Sequence, residues 1–296
     1  MRTGDGLLFG SRSILEHNPK MIENKKILIS GFAGSIGSEI FRQLAPGNEL
    51  FGVDIDETRM FDLVEELKLK GLNVRGRIGN IKAHSTVDDM IYEFKPDIIF
   101  HAAAYKHVAP NEQYPLEAIN TNIIGTYNML KYAKKYGVKK FINISTDKVI
   151  NSNSVMGATK RVAELMVKNA GGISVRFGNV LGSRGSAIPT WQRQIDHNEP
   201  LTVTDERMER YFMSIPQAVE LVIKASEIGE AGQILILDMG EPVNVLELAK
   251  EILKKSGKED LGIRMIGMRP GETLGERLMT EDEEKRAIKK ENFYVI

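Results

Sequence analysis

Between residues 26 and 54 the chain carries one local pattern that restricts its fold more than any other. The apolar run Lys26–Ser30 (KILIS) enters a turn holding Gly31, Gly34 and Gly37. An amphipathic stretch follows to Leu44, then a second apolar run over 49–53 that ends at Asp54. Strand, glycine turn, helix, strand and acid is the order of a dinucleotide-binding half-fold. Gly31 permits the tight turn, Gly34 lets the backbone approach a pyrophosphate, and Gly37 lets the helix pack closely on the sheet. Ser35 and Ile36 open the helix, where free N–H groups receive phosphate. Asp54 is placed to accept hydrogen bonds from both hydroxyls of an adenosine ribose and to repel a 2′-phosphate. NAD is therefore expected, with NADP less favoured; Arg59 lies too far along to reverse this.

The alternation of strand and helix continues. A strand near 71–75 runs toward Asn80 and Ile81, in a loop able to touch adenine, and a helix is expected over 87–94. The strand over 97–100 exits through His101, Ala102, Ala103, Ala104, Tyr105, Lys106 and His107; three small alanines there let the backbone lie beside a dinucleotide. A helix follows over 118–136, with Asn120 and Asn122 near its start, and then the strand Lys140–Ile144 (KFINI). Short connections in this order predict an α/β fold: a Rossmann-type parallel sheet flanked by helices, with a smaller C-terminal substrate-binding subdomain. The expected divisions are an N-terminal appendage over 1–25, a dinucleotide-binding domain over 26–178, and a mainly substrate-binding part over 179–296 that returns to the core. An amphipathic helix is expected over 243–253, with Asn244 near its start. The charge-rich stretch 281–296 either packs on the body or frays.

Composition removes several classes of function. Lys plus Arg and Asp plus Glu are 40 each, so a formal net charge of +0 offers no field to draw nucleic acid. With no cysteine, disulfides, thiolate catalysis and Cys-ligated metal sites are excluded. The same absence fits a reducing compartment, and a cytoplasmic location is expected. No run of 18 apolar residues occurs, so no membrane span is expected. No metal site is expected.

After the strand Lys140–Ile144 come Ser145, Thr146, Asp147 and Lys148, and further on Met156 and Lys160 open a helix that runs to about Asn169. In open α/β folds the site forms at the strand C-termini. Polar groups at a strand exit beside a helix lysine are thus catalytic candidates; as a plain structural feature, Thr146 and Asp147 would only make a helix cap.

These stretches carry a resemblance: 31–40 (GFAGSIGSEI), 101–108 (HAAAYKHV), 145–148 (STDK), 156–161 (MGATKR), 175–186 (VRFGNVLGSRGS), 210–216 (RYFMSIP), 237–243 (LDMGEPV) and 269–272 (RPGE). Together they resemble the extended short-chain dehydrogenase/reductase superfamily. Within it they resemble the CapD-like nucleotide-sugar 4,6-dehydratases of polysaccharide biosynthesis, which act on UDP-N-acetylglucosamine. Residues 7–10 (LLFG) look like the linker that joins a membrane domain to the catalytic domain in large members; no such membrane domain is expected here. The superfamily's usual acid/base tyrosine sits four residues before the helix lysine, and Met156 stands there instead. A thioether transfers no proton at neutral pH. A subset of the dehydratases shares this replacement, shifts the work to Thr-Asp-Lys and retains configuration at C5.

The resemblance implies a set of roles. Thr146 orients the sugar C4 hydroxyl, a protonated Asp147 donates to the departing C6 hydroxyl, and a neutral Lys148 removes the C5 proton. Lys160 binds the nicotinamide ribose. Lys106, His107, Met156, Asn179 and Arg184 are expected at the substrate, with Lys106 also near the cofactor. Val203 and Thr204 are expected at the base edge, Arg210 and Arg269 at the diphosphate, and Glu272 at a ribose hydroxyl or an arginine. Relatives imply a homo-oligomer. A UDP-sugar 4- or 5-epimerase and a non-catalytic nucleotide-sugar-binding protein remain as alternatives.

Overall fold

A computed structural model describes residues 22–150 and 152–296; the 7–10 stretch and the rest of the expected appendage up to residue 21 lie outside them. Apolar residues at alternate positions decide the layering. In β1 (Lys26–Ser30), Ile27 and Ile29 enter one hydrophobic cluster and Leu28 the other, as a strand buried on both faces requires. β2 (Glu49–Asp54), β3 (Val74–Ile78), β4 (Ile98–His101), β5 (Lys140–Ile144), β6 (Ile173–Arg176) and β7 (Ile234–Leu237) all pair parallel with their neighbours. β8 (Ile288–Lys290) and β9 (Phe293–Val295) close one edge as antiparallel strands. The order is β8-β9-β7-β6-β5-β4-β1-β2-β3. The chain leaves β1 in one direction toward β2 and β3, and later resumes on the other side with β4. The crevice outside the C-terminal ends of β1 and β4 is thus the topological switch point, where such sheets bind ligands.

Helices cover both faces. α1 (Ser35–Leu44) and α2 (Glu57–Lys68) bury Phe41 and Leu67 in one cluster. α3 (His84–Phe94), α4 (Thr126–Lys135) and α5 (Val155–Asn169) send Met90, Met129 and Val167 into the other. A third core lies apart. α6 (Ala187–Asp196) brings Trp191 and Ile195 to it, and α8 (Val245–Lys255) brings Leu248 and Leu253. Between them in sequence, α7 (Ile215–Ile228) rejoins the main sheet through Val219 and Val222. The smaller lobe is tied by a parallel ribbon of Leu201–Val203 with Ile263–Met265 and by the Trp191 indole, which donates to the Thr202 carbonyl at 2.8 Å. α8 begins where expected: the Asn244 side chain caps it by accepting from the Glu247 amide at 3.1 Å.

One expectation needs correction, and of the two alternatives open for 281–296 one is realised. The stretch 118–136 is not one α-helix. A short turn Pro115–Ala118 passes into a π-helix, Ile119–Gly125, before α4. Its wide turn carries Asn122 inward, where the side chain accepts from the Tyr105 amide at 2.8 Å and donates to the Tyr105 carbonyl and Thr159 Oγ1, each at 3.0 Å. π-turns recur beside functional sites, and this one fastens the β4 exit loop to α5. Second, 281–296 does not fray. Phe293 and Val295 alternate inward as β9, Phe293 with no exposure at all, because the strand's period of two hides its apolar residues beneath a charged sequence.

Candidate active site

The glycine turn is built by steric exclusion. Gly31 has φ +70°, and a Cβ on it would lie 2.6 Å from the Ala103 backbone. On Gly37 a Cβ would lie 2.2 Å from the Gly31 carbonyl. Neither position accepts a side chain. α1 starts after Gly34 with no side-chain cap, which leaves its first-turn N–H groups free for an anion. Asp54 stands at the end of β2. Its Oδ2 accepts from the Ala33 amide at 2.9 Å and its Oδ1 from the Asp56 amide at 3.0 Å, so the carboxylate is fixed while lone pairs remain for hydroxyls. Arg59 is paired with Asp56 at 2.8 Å. A continuous groove runs from Asp54, Asn80, Ile81, Ala102 and Ala103 past Gly31, Gly34 and Ala104 to Ser35, Ile36, Gly37, Lys106, His107, Met156 and Lys160. Asn120 is not part of it: the π-turn leaves Asn120 exposed, and its neighbour Thr121 lines the groove instead.

At the groove's far end, β5 delivers Ser145, Thr146, Asp147 and Lys148 in order. Thr146 Oγ1 donates to Asp147 Oδ1 at 2.8 Å. The Asp147 side chain is fully buried, and its Oδ2 has no hydrogen-bond partner among the described residues. Burial, aided by the nearby Glu276 carboxylate and opposed by Lys148, pushes the Asp147 carboxyl up to about 7. That is the condition of a carboxyl kept as an acid near neutrality. The Lys148 ammonium lies 3.1 Å from Asp147 Oδ1, 2.7 Å from Glu276 Oε1 and 3.2 Å from Asn179 Oδ1. Burial works against its charge, but the Asp147 and Glu276 carboxylates prevail and hold its pKa above the ordinary value. These ion pairs favour the ammonium form of Lys148, whereas the expected base role needs the amine. Lys160 behaves as the opposite case. It donates to the Ile144 carbonyl at 2.5 Å, and burial, only partly offset by Glu164, brings it down to about 8. Burial, with Arg184 and Lys148 nearby, likewise lowers Lys106.

A second cavity opens from this cluster into the smaller lobe. Asp147, Lys148, Asn179, Val203, Thr204, Arg210, Arg269 and Glu272 all line it. The sequence thus placed these residues in one place across long separations. Met156, Lys106, His107 and Arg184, expected at the substrate, line the groove and not this cavity. Arg184 in particular folds back over the glycine turn, donating to the Ala33 carbonyl, while its own amide donates to Ser35 Oγ at 3.2 Å. Arg210 is spent partly on structure: its guanidinium reaches the Leu274 and Thr273 carbonyls at 2.9 and 2.7 Å, and Glu276 at 3.2 Å. Glu272 accepts from the Arg269 amide at 3.0 Å.

Two functional elements escaped sequence reasoning. Glu276 enters from the loop after Arg269, with no local pattern beyond glycines and a second acid four residues past Glu272 to mark it. Beneath the cluster lies a buried ion network. Arg176 in β6 is fully buried and pairs with Glu164 of α5 at 2.9 Å and Glu283 at 2.8 Å, and it donates to the Leu278 carbonyl at 2.9 Å. Ser145 Oγ donates to Glu164 at 2.7 Å. The network ties the strand exit, the Lys160 helix and the loop bearing Glu276 into one unit. Among the described residues no cluster of acids or histidines is arranged to hold a metal ion, and no helix is long and apolar enough to cross a membrane.

The chain is similar to several known proteins. A family described as polysaccharide biosynthesis protein matches residues 27–296. The capsular polysaccharide biosynthesis protein CapD of Staphylococcus aureus is 43% identical over 276 residues, which are 88% of this chain and 46% of that protein. The chain thus spans about half the length of such curated relatives. A UDP-glucose 4-epimerase of Rickettsia bellii is 34% identical, covering 93% of this chain and 84% of its own. Among solved structures, Pen from Bacillus thuringiensis is 36% identical with a TM-score of 0.89, over 93% of this chain and 90% of that one. The dTDP-glucose 4,6-dehydratase DesIV of Streptomyces venezuelae, solved with NAD, shares the fold at a TM-score of 0.77 and 22% identity, over 88% and 90% of the two chains.

Proposed function

The chain belongs to the polysaccharide biosynthesis protein family, and from that premise we propose that it is an NAD-dependent dehydratase. Its substrate is UDP-N-acetylglucosamine, and its product is the 4-keto-6-deoxy sugar with C5 configuration retained. The observation that carries the reading is Asp147: a fully buried carboxyl, its pKa raised, lining the cavity beside Lys148, where cavity and groove meet. Elimination of the C6 hydroxyl needs a proton donor at that junction, and a buried acid with a raised pKa is such a donor.

The groove suits a dinucleotide on three counts: the side-chain-free turn at Gly31 and Gly37, the uncapped start of α1, and the fixed Asp54 carboxylate. Bound there, NAD supplies a reversible hydride acceptor. The side chains do the rest. Asp54 receives the adenosine ribose hydroxyls and disfavours a 2′-phosphate. Lys160, fixed on the Ile144 carbonyl, holds the second ribose. Thr146 orients the C4 hydroxyl toward the groove. Asp147 gives its proton to the C6 oxygen as the C6–O bond breaks, and Lys148 faces the C5 proton. Arg269 and Arg210, at the rim of the cavity in the smaller lobe, meet the diphosphate; Val203 and Thr204 meet the base. The chain acts in the supply of a modified sugar for polysaccharide.

One observation favours a second reading, 4-epimerisation: the Rickettsia relatives that carry that name align over most of both chains. Epimerisation expels no hydroxyl and leaves a buried acid without a task. Mass spectrometry of UDP-N-acetylglucosamine incubated with the protein and NAD separates the two. Loss of one water supports dehydration; an unchanged mass with a new C4 epimer supports the alternative.

A further inference from the structure

The roles above leave one buried charge without a task. Glu276 is the nearest ionic partner of Lys148, at 2.7 Å against 3.1 Å for Asp147, yet it is no part of the expected Thr-Asp-Lys chemistry. The same contact exposes a difficulty. A base needs a lone pair, and an ammonium held between two carboxyl groups has none. Lys148 must lose a proton before it can take one from the sugar.

We propose that Glu276 takes the ammonium proton of Lys148 and so generates the amine that removes the sugar C5 proton. This rests on the dehydratase reading. Four observations support it. The Nζ–Oε1 distance is that of a direct hydrogen bond, within reach for proton transfer. The two groups are layered: the Lys148 side chain retains 25% exposure toward the cavity and that of Glu276 only 5%, so the lysine meets the sugar and the carboxylate stands behind it. The competing acceptor, Asp147, already holds the proton destined for the leaving hydroxyl. Finally, Arg210 Nε at 3.2 Å from Oε1 and Asn179 Nδ2 at 3.2 Å from Oε2 fix Glu276 in place; against its burial, Lys148, Asp147 and Arg210 keep its carboxyl below the ordinary value, so the transfer waits for substrate. Filling the cavity with a sugar expels water, and loss of water favours a neutral amine–acid pair over the ion pair.

The steps balance. An Nζ–H bond breaks and an Oε1–H bond forms, leaving amine and carboxylic acid. The C5–H bond then breaks, its electron pair enters the enolate of the C4 ketone, and a new Nζ–H bond forms. The C6–O bond breaks as that pair moves on, and the Asp147 proton completes a water. The hydride taken from C4 returns to C6, and protonation of the resulting enolate at C5 runs the lysine and glutamate transfers backward. Asp147 recovers a proton equivalent to the one released when the C4 hydroxyl became a ketone.

The test is exchange of the C5 hydrogen with deuterated solvent, followed by NMR across neutral to mildly alkaline pH, for the wild type and for Glu276→Gln, Glu276→Asp and Glu276→Ala. Glutamine can still accept from Lys148 through its carbonyl oxygen, gives up the bond from Asn179 Nδ2, and accepts no proton from an ammonium to become an acid. The expected result is that Glu276→Gln loses about 10²- to 10⁴-fold of exchange at every pH, keeps reduction of NAD by the sugar, and is partly rescued by aspartate. If Glu276 only holds Lys148 charged, its removal frees the amine. Glu276→Gln or Glu276→Ala would then exchange at least as fast as the wild type, with the pH limb moved lower, and the proposal is overturned. A wild type that shows neither exchange nor loss of water defeats the dehydratase reading itself, which is a separate outcome.

Discussion

Asp147 and Lys148 are neighbours in sequence, and the surroundings of each favour its protonated form. Burial raises the Asp147 pKa with the Glu276 carboxylate adding to it, and the acidic side chains of Asp147 and Glu276 raise that of Lys148 against the effect of its burial. Asp147→Asn preserves shape but carries no transferable proton. It is expected to cut dehydration by about 10²- to 10⁴-fold while C4 oxidation continues, seen as a rise in reduced-nicotinamide absorbance without loss of water. The pH dependence has a defined sign. The acid form is the active one and its pKa is raised to about 7, so kcat for dehydration falls as pH rises through that value, and the residual activity of Asp147→Asn lacks that limb. Thr146, Asp147 and Lys148 were legible in sequence because an apolar strand that ends in consecutive polar residues exposes them at a sheet's C-terminal edge. The raised pKa of Lys148 was legible only in part, because of the two acidic side chains that raise it Asp147 is its neighbour and Glu276 comes from a distant loop.

At the scale of elements, the site is held by what lies under it. Arg176 joins β6 to α5 through Glu164 and to the C-terminal loop through Glu283 and the Leu278 carbonyl, all without solvent. Arg176→Met leaves the buried Glu164 and Glu283 carboxylates with the partly exposed Arg161 as their shared cation, and urea unfolding should show a loss of about 3 kcal/mol. A smaller change would mean that the network is dispensable for stability. Strands such as β1 and β5 could be read from three apolar residues within the four that follow a lysine, and α8 from its period and its Asn244 cap. The π-turn at Ile119–Gly125 could not, since its helical composition is ordinary and only the inward pull of Asn122 on Tyr105 distinguishes it. That single turn is why Thr121, and not Asn120, reaches the groove. β9 was hidden because its apolar residues alternate with polar ones within a charged tail.

For the molecule as a whole, the sheet order places the β1 and β4 exits side by side, and the third core builds a lobe across the resulting crevice. Groove and cavity therefore meet at Lys148 and Asn179, which line both. The crossover was readable from the strand–helix alternation; the reach of Arg184 back over the glycine turn was not, because it depends on how the lobe closes. Binding to the folded state alone stabilises it. NAD at about a hundred times its Kd should add about 2.7 kcal/mol and raise Tm, and NADP at the same concentration should do markedly less because Asp54 repels its 2′-phosphate. Equal shifts would contradict the role given to Asp54. The central claim is elimination at C5 and C6, and proton NMR of UDP-N-acetylglucosamine with the protein and NAD in deuterated water tests it most directly. The account predicts a C6 methyl signal on a 4-keto or hydrated sugar, deuterium at C5 and unchanged C5 configuration. A sugar that keeps its C6 hydroxymethyl group and differs only at C4 would contradict it.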